Sequence, residues 1–374
     1  MNNKHTGFKK HSGHRPRRRP PFHRRNGGRG RKVYGALDLG THNCRLLIAK
    51  LRRGTMSVVT SYSRIVRLGE GVAGSGRLSE AAMDRTLKAL KTSAAKFDEH
   101  GVTRLRVIAT EACRRAENCE EFLWRVKDET GLELEAISSE EEARLALAGC
   151  QGLMEDGARR ALVFDIGGGS TELVWAGQGE PGGGENGGSG KANGRFSVID
   201  MLSLPMGVVT LSESNGGGVL DEDHYGKMVA QIAGRLPEFC ERNQILQEIA
   251  QGRVQMLGTS GTVTTLGAIH LELPSYSRAR IDGFTISFDG LEQTIRRVVG
   301  ADHAARIAMP CIGAERADLM IPGCAIVQAI RERWPVGRLR IADRGLREGI
   351  LLDLMMEDGL QVASRPAANA AGRS

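Results

Sequence analysis

The spacing of apolar residues changes repeatedly along the chain, from short continuous runs to the three- and four-residue spacing of helices. After a pair of apolar runs within 34–48 and a β-rich run at 57–65, Leu87, Leu90 and Phe97 recur on one helical face behind Ser79, a typical N-cap residue. The pattern then predicts a strand at 105–109, a helix at 122–130, a strand at 132–137 and a helix beginning at Ser139. This order predicts a mixed α/β unit.

A second unit of the same kind follows. Apolar runs at 161–164 and 173–175 are followed by a predicted strand at 196–204, a helix at 225–241 broken near Pro237, a strand at 254–257 and a helix through 269. Between 177 and 194, nine of eighteen residues are glycine, which predicts a flexible surface loop. We therefore expect domains at 33–158 and 159–358, and a frayed tail at 359–374.

A glycine-rich turn in the second unit carries a strong chemical signal. The segment from Asp165 to Glu172 reads DIGGGSTE and joins two predicted strands of a hairpin. Its three successive glycines leave backbone N–H groups uncovered, so an anion can approach the main chain. Asp165 and Glu172 offer the hard oxygen ligands that Mg²⁺ takes alongside phosphate. The alternative is an ordinary glycine-rich hairpin with an exposed acid at each end.

The first unit opens with the same layout. An apolar run leads to Asp38 and Gly40, which align with Asp165 and Gly167, and a second apolar run follows the turn. A strand–Asp–Gly turn–strand motif that recurs in two halves indicates two related domains. The sequence therefore predicts two phosphate-cradling hairpins that face each other across a cleft.

The net charge of +8 belongs to one end of the chain. Residues 1–32 hold 12 of the 52 basic residues and none of the 44 acidic ones, which leaves 40 basic against 44 acidic residues in the remainder. We expect 1–32 to be a disordered basic arm. Such an arm could bind RNA or another polyanion through counterion release, or it could serve only solubility.

Cysteine spacing and hydropathy argue against disulfide-rich, zinc-binding, membrane-spanning and secreted classes of protein. The seven cysteines are scattered and never spaced as C-x-x-C, which argues against a disulfide scaffold or a zinc site and for a reducing compartment. No apolar run is long enough to cross a membrane, and the N-terminus lacks the apolar region of a secretory signal. A cytoplasmic protein with no membrane partner is the expectation.

A third glycine turn, at 258–262, lies between a predicted strand and a helix. Its sequence GTSGT places Gly258, Thr259, Gly261 and Thr262 where a helix N-terminus could contact phosphate or ribose. Tight strand-to-helix turns of this composition are equally common without a ligand.

Taken together, these motifs resemble the actin-like, sugar-kinase and Hsp70 ATPase superfamily, and in detail its exopolyphosphatase / guanosine pentaphosphate phosphatase (Ppx/GppA) family. The resemblance covers roughly 33–355 and rests on ALDLGT (36–41), VRLGEG (66–71), ATEACRRAEN (109–118), EEA (141–143), DIGGGSTE (165–172), GTSGT (258–262) and LREG (346–349). It implies two actin-like (ribonuclease H-like) α/β domains facing each other across a cleft, in the short two-domain form. A homodimer is an expectation from the resemblance only.

The resemblance also implies a role for each motif. Glu142 would be the catalytic carboxylate that activates water, and Asp165 with Glu172 would hold Mg²⁺. Phosphate would be bound by residues of both turns and by two arginines, namely Asp38, Gly40, Thr41, Arg67, Arg114, Gly167, Gly168, Gly169 and Ser170. Amide cradles, arginine and a hard cation are the groups that phosphoryl transfer needs.

Each implied role has a structural alternative. Ser139-x-x-Glu142 fits a capping box, in which Glu142 would cap its own helix, and Glu141 is the neighbouring candidate for the catalytic role. Arg114 could be a surface arginine, and Arg67 a charge at a strand end. Two positions depart from the family pattern: His42 replaces a small polar residue, and Thr210 replaces an arginine found in some relatives.

The leading function is release of terminal phosphate from inorganic polyphosphate by Mg²⁺-assisted attack of water. The alternative within the family is the 5′-phosphatase acting on guanosine pentaphosphate (pppGpp). An actin-like or sugar-kinase-type ATPase is a further alternative, against which the EEA and ATEACRRAEN motifs argue. A nucleic-acid-binding protein led by its basic arm is the alternative outside the enzymes.

Overall fold

A computed structural model describes residues 32–179, 195–217 and 222–362 of the chain. The predicted basic arm up to residue 31, the glycine-rich segment 180–194 and the tail from 363 onward lie outside the described residues. Within them, no helix is both long and apolar enough to cross a membrane.

The first sheet is built around the β1–β2 hairpin. Within the described residues it has five strands: β1 (Tyr34–Leu39), β2 (Asn43–Arg52), β3 (Thr55–Ile65), β4 (Arg104–Ala109) and β5 (Leu134–Ala136). The strand order is β3-β2-β1-β4-β5, with β2 antiparallel to β1 and β3, and β4 parallel to β1 and β5.

The second sheet repeats this arrangement. Its six described strands are β6 (Arg160–Ile166), β7 (Thr171–Gln178), β8 (Phe196–Leu204), β9 (Val254–Thr259), β10 (Thr285–Ser287) and β11 (Arg338–Ala342). In the order β10-β11-β9-β6-β7-β8, strands β8, β7, β6, β9 and β11 match β3, β2, β1, β4 and β5 of the first sheet, and β10 is an added edge strand. The predicted duplication and the two-sheet α/β fold class are confirmed.

Helices cover the two sheets. In the described part of the chain they are α1 (Val72–Ser75), α2 (Glu80–Glu99), α3 (Glu111–Arg115), α4 (Cys119–Thr130), α5 (Ser139–Cys150), α6 (Val208–Ser214), α7 (Glu222–Ala233), α8 (Pro237–Arg242), α9 (Ile245–Ala250), α10 (Gly261–His270), α11 (Arg278–Ile281), α12 (Phe288–Val299), α13 (His303–Ala308), α14 (Ala317–Arg333) and α15 (Leu346–Glu357). Ser79 caps α2 as predicted, because its side chain accepts a hydrogen bond from Ala82 N.

Helices α5 and α15 cross between the sheets. Ala143 and Leu147 of α5 pack with the second sheet, while Ile350 and Leu354 of α15 pack with β1 of the first. Each helix therefore comes from one half of the sequence and packs in a core with the sheet of the other half. This crossing ties the catalytic candidate Glu142 of α5 to both halves of the molecule.

The structure corrects two local predictions and confirms a third. Strand β7 continues to Gln178 rather than ending at 175, so the start of the predicted glycine-rich loop belongs to a strand. The predicted break near Pro237 is confirmed, because α7 ends at Ala233 and Pro237 begins α8, where a missing N–H costs nothing. Helix α5 is capped by Ser138, not Ser139.

Candidate active site

The first glycine turn joins β1 and β2. The strand register pairs Asp38 with Arg45, and Gly40 N donates to Asn43 O at 2.9 Å to close the turn. Asp38 thus lies at the carboxyl end of β1, next to a cationic partner on β2. Burial raises the pKa of Asp38, and the guanidinium of Arg45 opposes this rise.

The second glycine turn joins β6 and β7 in the same way. Here the register pairs Asp165 with Glu172, and Gly167 N donates to Ser170 O, also at 2.9 Å. The closing bond therefore has the same donor position in both turns. Arg45 of the first hairpin corresponds to Glu172 of the second. Because the second hairpin therefore has two carboxylates and no arginine at these positions, it is the better candidate for binding a cation.

The two turns lie against each other. A Cβ atom added to Gly169 would lie 2.5 Å from Thr41 Oγ1, and one added to Gly168 would lie 3.1 Å from His42 Cβ. A side chain at Gly169 would displace the side chain of Thr41, and one at Gly168 would crowd His42 N at 3.2 Å. The glycines are required here for close approach of two backbones, as well as for the exposure of N–H groups.

A cavity of about 120 Å³ lies at this junction. Its lining combines both turns with helices α3, α5, α10 and α14, and includes Asp38, Gly40, Thr41, Glu142, Asp165, Gly167, Gly168, Gly169, Ser170, Glu172, Gly261 and Thr262. The cavity thus brings together the predicted catalytic residue, both predicted metal ligands and most of the predicted phosphate-binding residues.

Glu142 lies in the first turn of α5 and is 8% exposed. Ser138 accepts the capping bond from Glu141 N, so the alternative in which Glu142 caps its own helix is wrong. The Glu142 carboxylate instead accepts a hydrogen bond from Arg114 Nη1, with Oε2 at 2.7 Å. Its position is thus fixed by an ion pair at the cavity wall.

Glu141 points elsewhere. Its carboxylate is paired with Arg106 at 2.8 Å and with Arg144 at 2.7 Å, and it does not line the cavity. These two ion pairs lower the pKa of Glu141, the opposite of the shift at its neighbour. Glu142 is therefore the buried acid that lines the cavity, whereas its neighbour Glu141 lies outside the cavity.

Four carboxylates with raised pKa values surround the cavity. Burial raises the pKa of Asp165 and of Glu172 to about 7, and it raises that of Asp38 and, well above its usual value, that of Glu142. Repulsion among these four acids raises the pKa values of Glu142, Asp165 and Glu172 further. For Asp38 the repelling acid is Glu348, which lies outside the set. Such a set is stabilised by a cation.

The donor set fits a hard cation that keeps other ligands. No three His, Cys, Asp or Glu side chains in 32–179, 195–217 and 222–362 are placed to hold a metal by themselves. Ser170 Oγ and Ser203 Oγ both donate to Glu172 Oε1, at 2.6 and 3.2 Å, which orients this carboxylate. In proteins, Mg²⁺ is usually bound through one or two carboxylates together with waters and substrate phosphates, and Asp165 and Glu172 fit this pattern.

Two polar atoms in the first turn lack a partner. Thr41 Oγ1 and His42 Nε2 are both buried and make no hydrogen bond within the described part of the chain. Burial and three nearby guanidinium groups, of Arg67, Arg45 and Arg316, lower the pKa of His42 to about 4, so the imidazole is neutral at neutral pH. Buried polar atoms are normally hydrogen-bonded, which makes these two atoms candidates for contact with a ligand or with water.

The remaining predicted phosphate ligands lie in different surroundings. Arg114 donates to Glu142 and Glu111, so in this structure it fixes carboxylates. Gly258 packs under the Phe164 ring, where a Cβ atom would lie 2.6 Å from it, and Thr259 Oγ1 donates to Arg344 O at 3.0 Å. Arg67 lies outside the cavity, in an adjoining groove.

Thr210, one of the two departures from the family pattern, supports the second turn. It lies in the first turn of α6 and donates to Gly169 O.

Sequence reasoning missed several residues of the site. Glu111, Arg45, Ser260 and Arg316 all line the cavity but were not predicted to take part. Arg45 could have been found from the hairpin register, because strand alternation places it opposite Asp38. Arg316 could not, since it lies just before α14, far from the turns in the sequence.

With the geometry established, comparison with known proteins identifies the family. The Ppx/GppA phosphatase family matches residues 47–358. The chain belongs to the Ppx/GppA phosphatase family. Exopolyphosphatase 2 of Mycobacterium tuberculosis (strain CDC 1551 / Oshkosh) is 31% identical over 337 residues, which cover 85% of this chain and 97% of that protein. The predicted family and the prediction of a phosphatase are confirmed.

Further relatives agree with this placement. The guanosine-5′-triphosphate,3′-diphosphate pyrophosphatase of Aeromonas salmonicida (strain A449) is 30% identical over 86% of this chain, which spans only 59% of that protein. The crystal structure of the Aquifex aeolicus Ppx/GppA family member superposes with a TM-score of 0.68 at 28% identity, covering 87% of this Ppx/GppA chain and 98% of the other. An exopolyphosphatase structure from Cytophaga hutchinsonii ATCC 33406, 23% identical over 90% of this chain and 100% of that one, has the same fold with a TM-score of 0.75.

Proposed function

We propose that this Ppx/GppA protein hydrolyses the terminal phosphoanhydride bond of inorganic polyphosphate, with Glu142 as the base that deprotonates water. The observation that carries the proposal is the position of the Glu142 carboxylate, buried in the wall of a cavity between two facing glycine turns. The name of the mycobacterial relative, which is similar over nearly its whole length, supports the same substrate.

The terminal phosphate would lie against the turns. The N–H groups of Gly168 and Gly169, together with the unpartnered Thr41 Oγ1 and His42 Nε2, supply donors for its oxygens, while Gly167 closes the turn through its bond to Ser170 O. Asp38 and Ser170 complete the two turns. Because these donors are fixed by the closing bonds of the turns, they need little rearrangement as negative charge develops in the transition state.

Asp165 and Glu172 would hold Mg²⁺, which when bound neutralises phosphate charge and lowers the pKa of the carboxylates around it. Glu142 must be ionised to accept a proton, and burial among acids disfavours this. Arg114 opposes that effect and orients the carboxylate through its 2.7 Å ion pair. We therefore assign Arg114 a positioning role as well as charge compensation.

Hydrolysis of pppGpp is a second candidate that a specific observation favours. A cavity of about 720 Å³ adjoins the catalytic one and shares Asp38, Arg45 and Arg316 with it. It also contains Tyr276, and an aromatic ring with nearby arginines can stack on a nucleobase. The Aeromonas relative, named for this type of substrate, supports the candidate.

The two candidates are separated by measuring phosphate release from polyphosphate and from pppGpp side by side, with Mg²⁺ and the full-length chain. We expect kcat/KM for polyphosphate to be the larger. A larger value for pppGpp would make the second candidate the main activity, and no release from either substrate would contradict both.

A further inference from the structure

A groove of about 620 Å³ opens beside the catalytic cavity, and Tyr276 does not line it. The groove and the cavity share Asn43, Ile65 and Arg316, so one leads directly into the other. The groove is lined by the end of β3, the following segment with Arg67, and the residues before α14. It contains no aromatic side chain among the described residues.

Unpaired arginines distinguish this groove. The side chains of Arg64, Arg67 and Arg316 form no ion pair or hydrogen bond with another residue in the described part of the chain. Arg85, the fourth arginine of the groove, is paired with Glu70 at 2.9 Å. Since Glu70 is neutralised in this way, Glu315 is the one acid left against three free guanidinium groups.

Arg67 is fixed at this position by its backbone. Its φ of 48° lies in the left-handed region, which is unfavourable for a residue other than glycine. Val66 N and Arg67 N both donate to His42 O, at 2.9 and 3.0 Å, and Arg85 donates to the carbonyl oxygens of Val66 and Arg67. The strained residue is therefore attached to the first phosphate turn.

We propose that this groove binds the inner phosphates of a polyphosphate chain whose terminal phosphate occupies the catalytic cavity. The inference rests on the proposed function and adds a subsite to it. A polyphosphate carries a charge on each successive phosphate, which matches a row of guanidinium groups continuing from the cavity. A nucleotide would instead place a base beyond its phosphates, and the groove offers no ring for stacking.

The test compares long-chain polyphosphate with tripolyphosphate, using the full-length chain with Mg²⁺. The variants are Arg64→Gln, Arg67→Gln and the double variant. The matched control is Arg52→Gln, since Arg52 is an exposed arginine of the same sheet that lies outside the groove. Thermal unfolding of each variant checks that the fold is intact.

We expect each groove variant to lower the ratio of kcat/KM for the long chain to that for tripolyphosphate by about two- to fivefold, mainly through KM. The double variant should lower it further, and the difference from the parent should shrink at high salt because exposed charges are screened. The control should keep the parental ratio.

A parental ratio in both groove variants, or equal losses on the two substrates, would overturn the subsite while leaving the proposed function intact. A parent protein that releases no phosphate from either chain length would overturn the proposed function, and the subsite with it.

Discussion

At the scale of single residues, Glu141 and Glu142 show how neighbouring acids acquire opposite properties. Glu141 faces Arg106 and Arg144, while Glu142 is buried near Glu172 and contacts one arginine. The sequence predicts a helix start and two candidate acids here. It cannot separate them, because the choice depends on which residue is the N-cap, and two consecutive serines are available.

The lowered pKa of His42 predicts a pH dependence of stability. The unfolded side chain binds a proton near its usual pKa of 6.5, whereas the folded one does so only near 4. The stability contributed by neutral His42 is therefore complete above the unfolded pKa and is lost as the pH falls toward 4. From about pH 7 to about pH 5 this loss should be about 2 kcal/mol.

His42→Asn should remove this loss. We expect the free energy of unfolding, measured with urea at both pH values, to fall less in the variant than in the parent. Other titrating groups are common to both proteins, so the comparison isolates His42. Equal falls in the two proteins would contradict the burial of an unprotonated imidazole beside three guanidinium groups.

At the scale of elements, the crossing of α5 and α15 depends on glycine. A Cβ atom added to Gly149 would lie 2.0 Å from Gly345 O, and one added to Gly349 would lie 2.0 Å from Leu145 O. The two backbones are therefore nearly in contact, which holds Glu142 at the junction of the sheets. The sequence predicts α5, but it does not indicate this contact with α15, because nothing local marks a glycine that faces a distant backbone.

Gly149→Ala should destabilise the protein by about 1–3 kcal/mol or more, since the added methyl group meets backbone that cannot rotate away. Gly226→Ala is the matched control. Gly226 also lies within a helix, α7, but an added Cβ atom would have nothing within 4 Å. The control should therefore stabilise by about 0.5–1 kcal/mol through helix propensity. Chemical denaturation measures both, and the same sign for the two variants would contradict the described crossing.

At the scale of the whole molecule, the duplicated sheets and helix α5 place the carboxylates of Asp38, Asp165, Glu172 and Glu142 around one cavity. The motif repeat at Asp38 and Asp165 predicted both sheets and their facing turns, because each turn is a local feature with its own residues. The arginine groove and Arg316 were not predicted, since they depend on how distant segments meet.

The crowded carboxylates predict that Mg²⁺ stabilises the folded protein. At a hundredfold excess of the ion over its Kd, the gain should be about 2.7 kcal/mol, visible as a rise in Tm. Asp165→Asn should raise the Tm without Mg²⁺, because it removes repulsion with Glu142 and Asp38, and it should reduce the Mg²⁺-dependent rise. Glu141→Gln, outside the cavity, should keep the full rise. An unchanged rise in Asp165→Asn would contradict its proposed role as a ligand.

The most direct test of the account is the rate of phosphate release from polyphosphate by Glu142→Gln and Glu141→Gln beside the parent. Loss of a general base predicts a fall in kcat of about 10²–10⁴ for Glu142→Gln. Glu141→Gln should stay within about threefold of the parent, because it removes only partly exposed ion pairs. Similar rates for the two variants, or a larger fall for Glu141→Gln, would contradict the assignment of Glu142 as the base.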